Sequence, residues 1–130
     1  MSLNLQPATA RGVPCAKLND LCRKGRLPSG RMIFTPNALN TCISANEGDG
    51  QGPLALILAQ ACLARIVSEY SFDGRDDPYG ERDFGAFEHC GQRFFFKIDY
   101  YAPDLLHGSE DPSNTELTQR VCTVMLASDY

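Results

Sequence analysis

Apolar and polar positions alternate with different periods along the chain, and the changes of period mark its elements. Leu18, Leu21 and Cys22 recur at helical spacing within 16–23, and Gly25 follows as a stop, which predicts a short first helix. Residues 31–34 (Arg-Met-Ile-Phe) read as a short strand. The strand ends at Thr35-Pro36, because Pro lacks an N–H and pushes the residue before it out of helical geometry. Residues 46–52 hold three glycines in seven positions and form the clearest loop. Pro53 suits the first turn of a helix over 54–69. That segment is apolar around a wide arc, with Leu54, Leu58 and Ala61 on one face and Leu56, Ala59, Leu63, Ile66 and Tyr70 on another. So wide an arc predicts burial on more than one side, against a sheet together with a second helix or a second subunit.

Residues 82–89 and 93–101 alternate as strands do, around Cys90-Gly91. Gly at the second position of a two-residue turn supplies the positive φ of a type I′ hairpin. This loop sets a register in which His89 faces Gln92, Glu88 faces Arg93, Phe87 faces Phe94 and Arg82 faces Asp99. Two opposite-charge pairs then share an outer face. Gly85, Phe87, Phe94, Phe96, Ile98 and Tyr100 share the core face. Beyond the turn-rich stretch 103–113, Leu117, Val121, Val124 and Met125 form a helical stripe, with Asn114 as N-cap and Glu116 in the first turn. The expected class is α+β, in the order α-β-α-β-β-α, with a small antiparallel sheet and helices packed on one face. Residues 1–13 lack periodicity and read as a flexible N-terminal arm, leaving 14–130 as a single domain.

Composition narrows the function classes. A chain of 130 residues with 43% hydrophobic and 22% charged residues is of one-domain size and globular. Its net charge of −4 and its single short basic cluster, Arg23, Lys24 and Arg26, argue against a groove that tracks phosphates. That cluster reads as a solvated helix end. No apolar run approaches a membrane span. The six cysteines include no C-x-x-C pair, and the first ten residues hold no apolar export segment. Reduced thiols in a cytoplasmic protein are therefore expected, with Cys62 and Cys122 as small core residues.

Candidate chemistry concentrates in 73–85, which holds five acids, two arginines and three glycines. Asp77, Glu81 and Asp83 offer the oxygens a hard cation wants, without EF-hand spacing. The same stretch equally reads as a turn held by Asx-type hydrogen bonds. Lys97, Asp99 and Tyr101 share one side of their strand, as a catalytic set or as a solvated salt-bridged face. Asp83 and Tyr100 have the opposite parity. His89 and His107 read as lone exposed histidines, and Cys90 as an exposed thiol without a local base. No nucleophile elbow, phosphate loop or dinucleotide fingerprint occurs.

Leu18-Asn19-Asp20, the run from Asp77 to Gly85, Lys97-Ile98-Asp99-Tyr100-Tyr101, Ser109-Glu110-Asp111-Pro112 and the closing run from Arg120 to Tyr130 are specific in combination. On these segments the chain resembles a family of uncharacterised bacterial proteins, the domain of unknown function 3768, over about residues 16–130. The resemblance implies an alphaproteobacterial setting among plasmids and other mobile elements, and no established activity. Two positions depart from the family pattern: Arg82 stands where His is usual, and Phe96 where Trp is usual. The loss of that His weighs against histidine-based catalysis.

The expected function is that of a non-catalytic interaction or inhibitor protein of a mobile element. Its expected partner is another protein, with a host defence component suggested only by analogy with the gene neighbourhood of the family it resembles. The expected contact residues are Asp76, Asp77, Tyr79, Glu81, Arg82, Lys97, Asp99 and Tyr101, with the 76–85 segment as the main surface and no cofactor or metal assigned. The alternative is a small enzyme or metal-binding protein with an acidic site around Asp77, Glu81 and Asp83, which requires those carboxylates to converge. A homodimer through the helix between Leu54 and Tyr70 is a third expectation.

Overall fold

The computed structural model describes residues 14–45 and 52–130; the arm expected at 1–13 and most of the glycine-rich loop lie outside the described residues. Helix α1 (Cys15–Arg23) leads to strand β1 (Gly30–Phe34). Helices α2 (Pro36–Ala45) and α3 (Pro53–Glu69) follow, each beginning with Pro, which needs no N–H partner in the first turn. Strands β2 (Phe84–His89), β3 (Gln92–Tyr101) and β4 (Gln119–Leu126) complete the sheet, and a 3₁₀ turn (Ala127–Asp129) ends the chain. Among the described residues no helix is long and apolar enough to cross a membrane.

The class is α+β, as expected, with three differences of detail. A further helix, α2, follows β1 directly, the last element is a strand instead of a helix, and the sheet is mixed instead of antiparallel. Its order is β1-β4-β3-β2, with β1 parallel to β4 and the other pairs antiparallel. Val121, Cys122, Val124 and Met125 are all buried, so β4 is covered on both faces. A strand of that kind reads as an unbroken apolar run, which periodicity cannot distinguish from a buried helix. The β-branched Val121, Thr123 and Val124 favour the strand. Asn114 still acts as a cap, but of a turn: its Oδ1 accepts the Glu116 N–H at 2.9 Å.

The hairpin register is the expected one, from His89 opposite Gln92 to Phe84 opposite Lys97. Cys90 and Gly91 both have positive φ, 53° and 73°, as a type I′ turn requires. Phe94 and Phe96 are fully buried, worth about 2–3 kcal/mol each in apolar area removed from water. With Ile98, Cys122 and Val124 they meet Cys22 of α1, Ala38 and Cys42 of α2, and Ala59, Leu63 and Val67 of α3. All three helices therefore cover one face of the sheet. Gly85 is required opposite Phe96: a Cβ there would overlap the Phe96 ring and lie 3.0 Å from Tyr70. The other face is only partly polar, since Phe84, Phe95 and Tyr130 pack as a ring cluster with centroids 5.0–5.9 Å apart.

Among the described residues of the single chain, helix α3 is buried along one side. Ala55, Ala59, Leu63 and Val67 form its buried line, while Leu54, Leu56, Ile57 and Leu58 stay exposed.

Candidate functional site

The loop before β2 is built by its own carboxylates. Asp73 Oδ1 accepts the N–H groups of Arg75 and Asp76, and Asp76 Oδ1 accepts the N–H of Asp73. The Tyr70 hydroxyl donates to the other Asp76 oxygen, and this bond above all holds the Asp76 carboxyl below its usual range. Burial, and then the Asp76 bond, push the Tyr70 phenol up. Asp77 closes the next turn: its carbonyl accepts the Gly80 N–H and its Oδ1 accepts the Arg82 N–H, at 3.0 and 2.9 Å. Asp76 and Asp77 thus fix the backbone locally. Tyr79, at the tip of that turn, is 90% exposed.

Arg82 has a φ of 58°, in the left-handed region that non-glycine residues enter at a cost of about 1 kcal/mol. Its guanidinium binds Asp20 of α1. This corrects the expected Arg82–Asp99 pair: the chain bends at Arg82 before the ladder begins, and Asp99 pairs instead with Lys97 at 3.0 Å. That bond holds the Lys97 ammonium above its usual range. Glu88 and Arg93 do pair as the register requires, at 3.4 Å.

Lys97, Asp99 and Tyr101 have the parity of the helix-free face, away from Asp83 and Tyr100. Glu81 is exposed, and its carbonyl accepts from Asn19 Nδ2 at 2.9 Å. Asp83 is half-buried, and its carbonyl accepts the Ile98 N–H at 2.8 Å, which starts the strand pairing. Asp77, Glu81 and Asp83 do not gather their ligand atoms. Among the described residues, the grouping of three or more His, Cys, Asp or Glu within 4.8 Å is Cys42, His89 and Cys90.

Asp20 is the centre of a corner that the residue pattern did not single out. It binds both Arg82 and Arg23, whose guanidinium also caps the end of α3 through the carbonyls of Val67 and Ser68, at 2.8 and 3.0 Å. Arg23 is therefore buried and not a solvated helix end. A cavity of about 640 Å³ opens here, lined by Asp20, Arg23, Lys24, Arg26, Glu69 and Arg82, together with Ser68, Tyr70, Ser71 and Phe72. Four cations face two anions in it.

Beneath that corner lies a buried polar network. Arg120 is fully buried on β4; its Nε donates to Asn19 Oδ1 at 2.8 Å, its Nη2 to Cys15 Sγ at 3.1 Å, and its guanidinium carbon lies 4.9 Å from the Tyr100 ring centroid. Nη1 has no hydrogen-bond partner among the described residues. Asn19 Nδ2 donates to the Tyr100 hydroxyl as well as to Glu81, and burial pushes the Tyr100 phenol up. The available signal was Arg120 itself, a charge with the parity of the apolar face, and the paired polar residues Asn19-Asp20 in a helix that packs on the sheet.

At the hairpin tip a second grouping forms. Cys42 comes from α2, Cys62 from α3, and His89 and Cys90 from the turn. Cys62 Sγ lies 3.5 Å from His89 Nε2. Burial pushes the Cys42 thiol up to about 12, reinforced by the neighbouring Cys90 and Cys62. Neither His89 nor Cys62 therefore stands alone, and Cys62 is exposed on α3 instead of lying in the core. Cys122 is in the core, on a strand. His107, in contrast, pairs only locally, with Asp104 at 2.8 Å.

These features define an α+β domain with a mixed four-stranded sheet, a tied surface turn and a basic cavity beside it. Residues 48–129 match the family described as Protein of unknown function (DUF3768), which is more than half of the chain, and the chain belongs to that family. The match takes in α3 and strands β2 to β4, and leaves Asn19 and Asp20 outside it. No curated protein and no solved structure matches the chain.

Proposed function

We propose that the protein is a non-catalytic interaction module that acts by covering part of another protein's surface, with the 76–85 turn as its contact element. The observation that carries this reading is the display of Tyr79. A large amphipathic side chain is almost wholly exposed on a turn tied at both ends, by Tyr70 to Asp76 and by Asp20 to Arg82. Aromatic residues on a pre-ordered base make strong contacts, because little conformational entropy is lost on binding. With Asp76 and Asp77 engaged in the turn, the charge left for a partner is the cationic excess of the neighbouring cavity. The partner surface that fits offers an apolar slot for Tyr79 and an acidic side chain for Lys24, Arg26 and Arg82. In the mobile-element setting that the resemblance implied, such a module would serve as an inhibitor of a host protein, including one of a defence system.

The test is capture of partners by tagged full-length chain in its host, with Tyr79→Ala and the pair Lys24→Ala and Arg26→Ala as variants. Exposed changes of this kind leave stability within about 0.5 kcal/mol. Loss of the same captured protein in both variants supports the reading. Undiminished capture by both, with folding intact, reduces the turn to a connector.

A further inference from the structure

We propose that Cys42, Cys62, His89 and Cys90 form a tetrahedral site for a thiophilic divalent cation of the zinc class, which staples α2 and α3 to the tip of the β2–β3 hairpin. Three separate elements bring these four residues together, so the grouping is a product of the tertiary fold. The ligand atoms of Cys42, His89 and Cys90 all lie within 4.8 Å of one another. Cys62 Sγ is 3.5 Å from His89 Nε2. Metal–sulfur bonds of about 2.3 Å and metal–nitrogen bonds of about 2.0 Å put tetrahedral ligand atoms about 3.5–3.8 Å apart. The Cys62–His89 separation already matches such an edge, and closing the site asks the Cys62 sulfur to approach those of Cys42 and Cys90 by side-chain rotation.

The donor set selects the ion. Three sulfurs and one imidazole nitrogen suit zinc and exclude calcium or magnesium, which take oxygen ligands. With all four positions filled by protein the site is closed, which is the form of a structural site. Binding releases three thiol protons to solvent, and the neutral His89 ring is steadied by Phe94, whose centroid is 6.0 Å away. The turn itself supplies an independent argument. At φ 53° the first turn position favours Asn, Asp or Gly, yet Cys90 occupies it. The hairpin keeps a costlier residue where a thiol can reach α2.

The experiment uses the full chain, purified reduced and free of metal. Titration with cobalt(II) should give one equivalent of tightly bound ion with the intense visible absorption of a tetrahedral cobalt thiolate, and zinc(II) should displace it. Zinc should also raise the melting temperature. Cys62→Ser and Cys90→Ser, both at exposed positions, should each weaken binding by about tenfold or more, while His107→Ala binds as the parent does. Circular dichroism of each variant verifies its fold. Absence of the cobalt–thiolate absorption from the folded, reduced chain overturns the proposal, as does affinity unchanged in both serine variants. Loss in Cys90→Ser with none in Cys62→Ser overturns the four-ligand assignment. A Cys42–Cys90 disulfide as the stable form of the chain in host cytoplasm overturns the metal reading altogether.

Discussion

At the Tyr100 end of β3 a guanidinium is sealed into the interior by neutral partners, whereas at the turn end thiols and an imidazole meet near the surface. About 26 Å of strand separates the two, eight residues at about 3.3 Å each. In the first corner each side chain is bonded, with Arg120 Nη1 alone left over: Asn19 links Arg120, Tyr100 and the Glu81 carbonyl across three parts of the chain. A buried cation without a carboxylate is costly, and the carboxamide offsets part of that cost. In the second corner the groups are close but weakly bonded as thiols, and only an ion would give them strong bonds. The first corner is bonded within the chain itself; the second would be bonded firmly only through an ion.

The sharpest way to break that contrast is Asn19→Ala. It removes the bonds to Arg120, Tyr100 and Glu81 and a longer one to Cys15 Sγ, and leaves a buried guanidinium with Cys15 and a ring face, so a loss of about 3–5 kcal/mol is expected. Denaturant unfolding measures it; a loss below about 1 kcal/mol would mean that the network relaxes freely. Next is Gly85→Ala, which sets a methyl group into Phe96 and Tyr70. Overpacking there should cost about 1–3 kcal/mol without touching either corner directly, which calibrates the core that lies between them.

Cys90→Asn should act with the opposite sign. Asn tolerates positive φ, so the metal-free hairpin should gain about 0.5–1 kcal/mol in thermal unfolding, and the cobalt absorption should vanish. A destabilised variant would show that Cys90 already contributes to packing without an ion. The smallest effect is expected at the chain end. Asn37 and Thr35 donate to Asp129 at 2.8 and 2.7 Å and, in that order, hold its carboxyl below the usual range. A depressed folded value means that the stabilisation is present above the unfolded value near 4 and is lost as pH falls through the folded one. Urea midpoints at pH 6 and pH 3 should therefore differ less in Asn37→Ala than in the parent.

Local chemistry was enough to read part of the molecule. Cys90-Gly91 and the alternation on either side determine the hairpin register, because a one-residue slip would turn Phe94 and Phe96 to solvent. Pro53 and the glycines before it mark the start of α3, and the Asx turns of 73–82 are short-range events between neighbours in the chain. Two kinds of information were beyond reach of any local window. The strand identity of β4 follows from its place between β1 and β3, since burial on both faces erases the period by which a strand is recognised. Which polar groups meet also depends on the packed helices. Asp20, instead of Asp99, receives Arg82, because α1 lies against the start of β2, and Cys42, Cys62 and His89 converge because α2 and α3 both reach the hairpin tip. Sequence alone determined the elements whose forces act over a few residues; the two corners are set by contacts between residues 27 to 105 positions apart, which exist only once the core has closed.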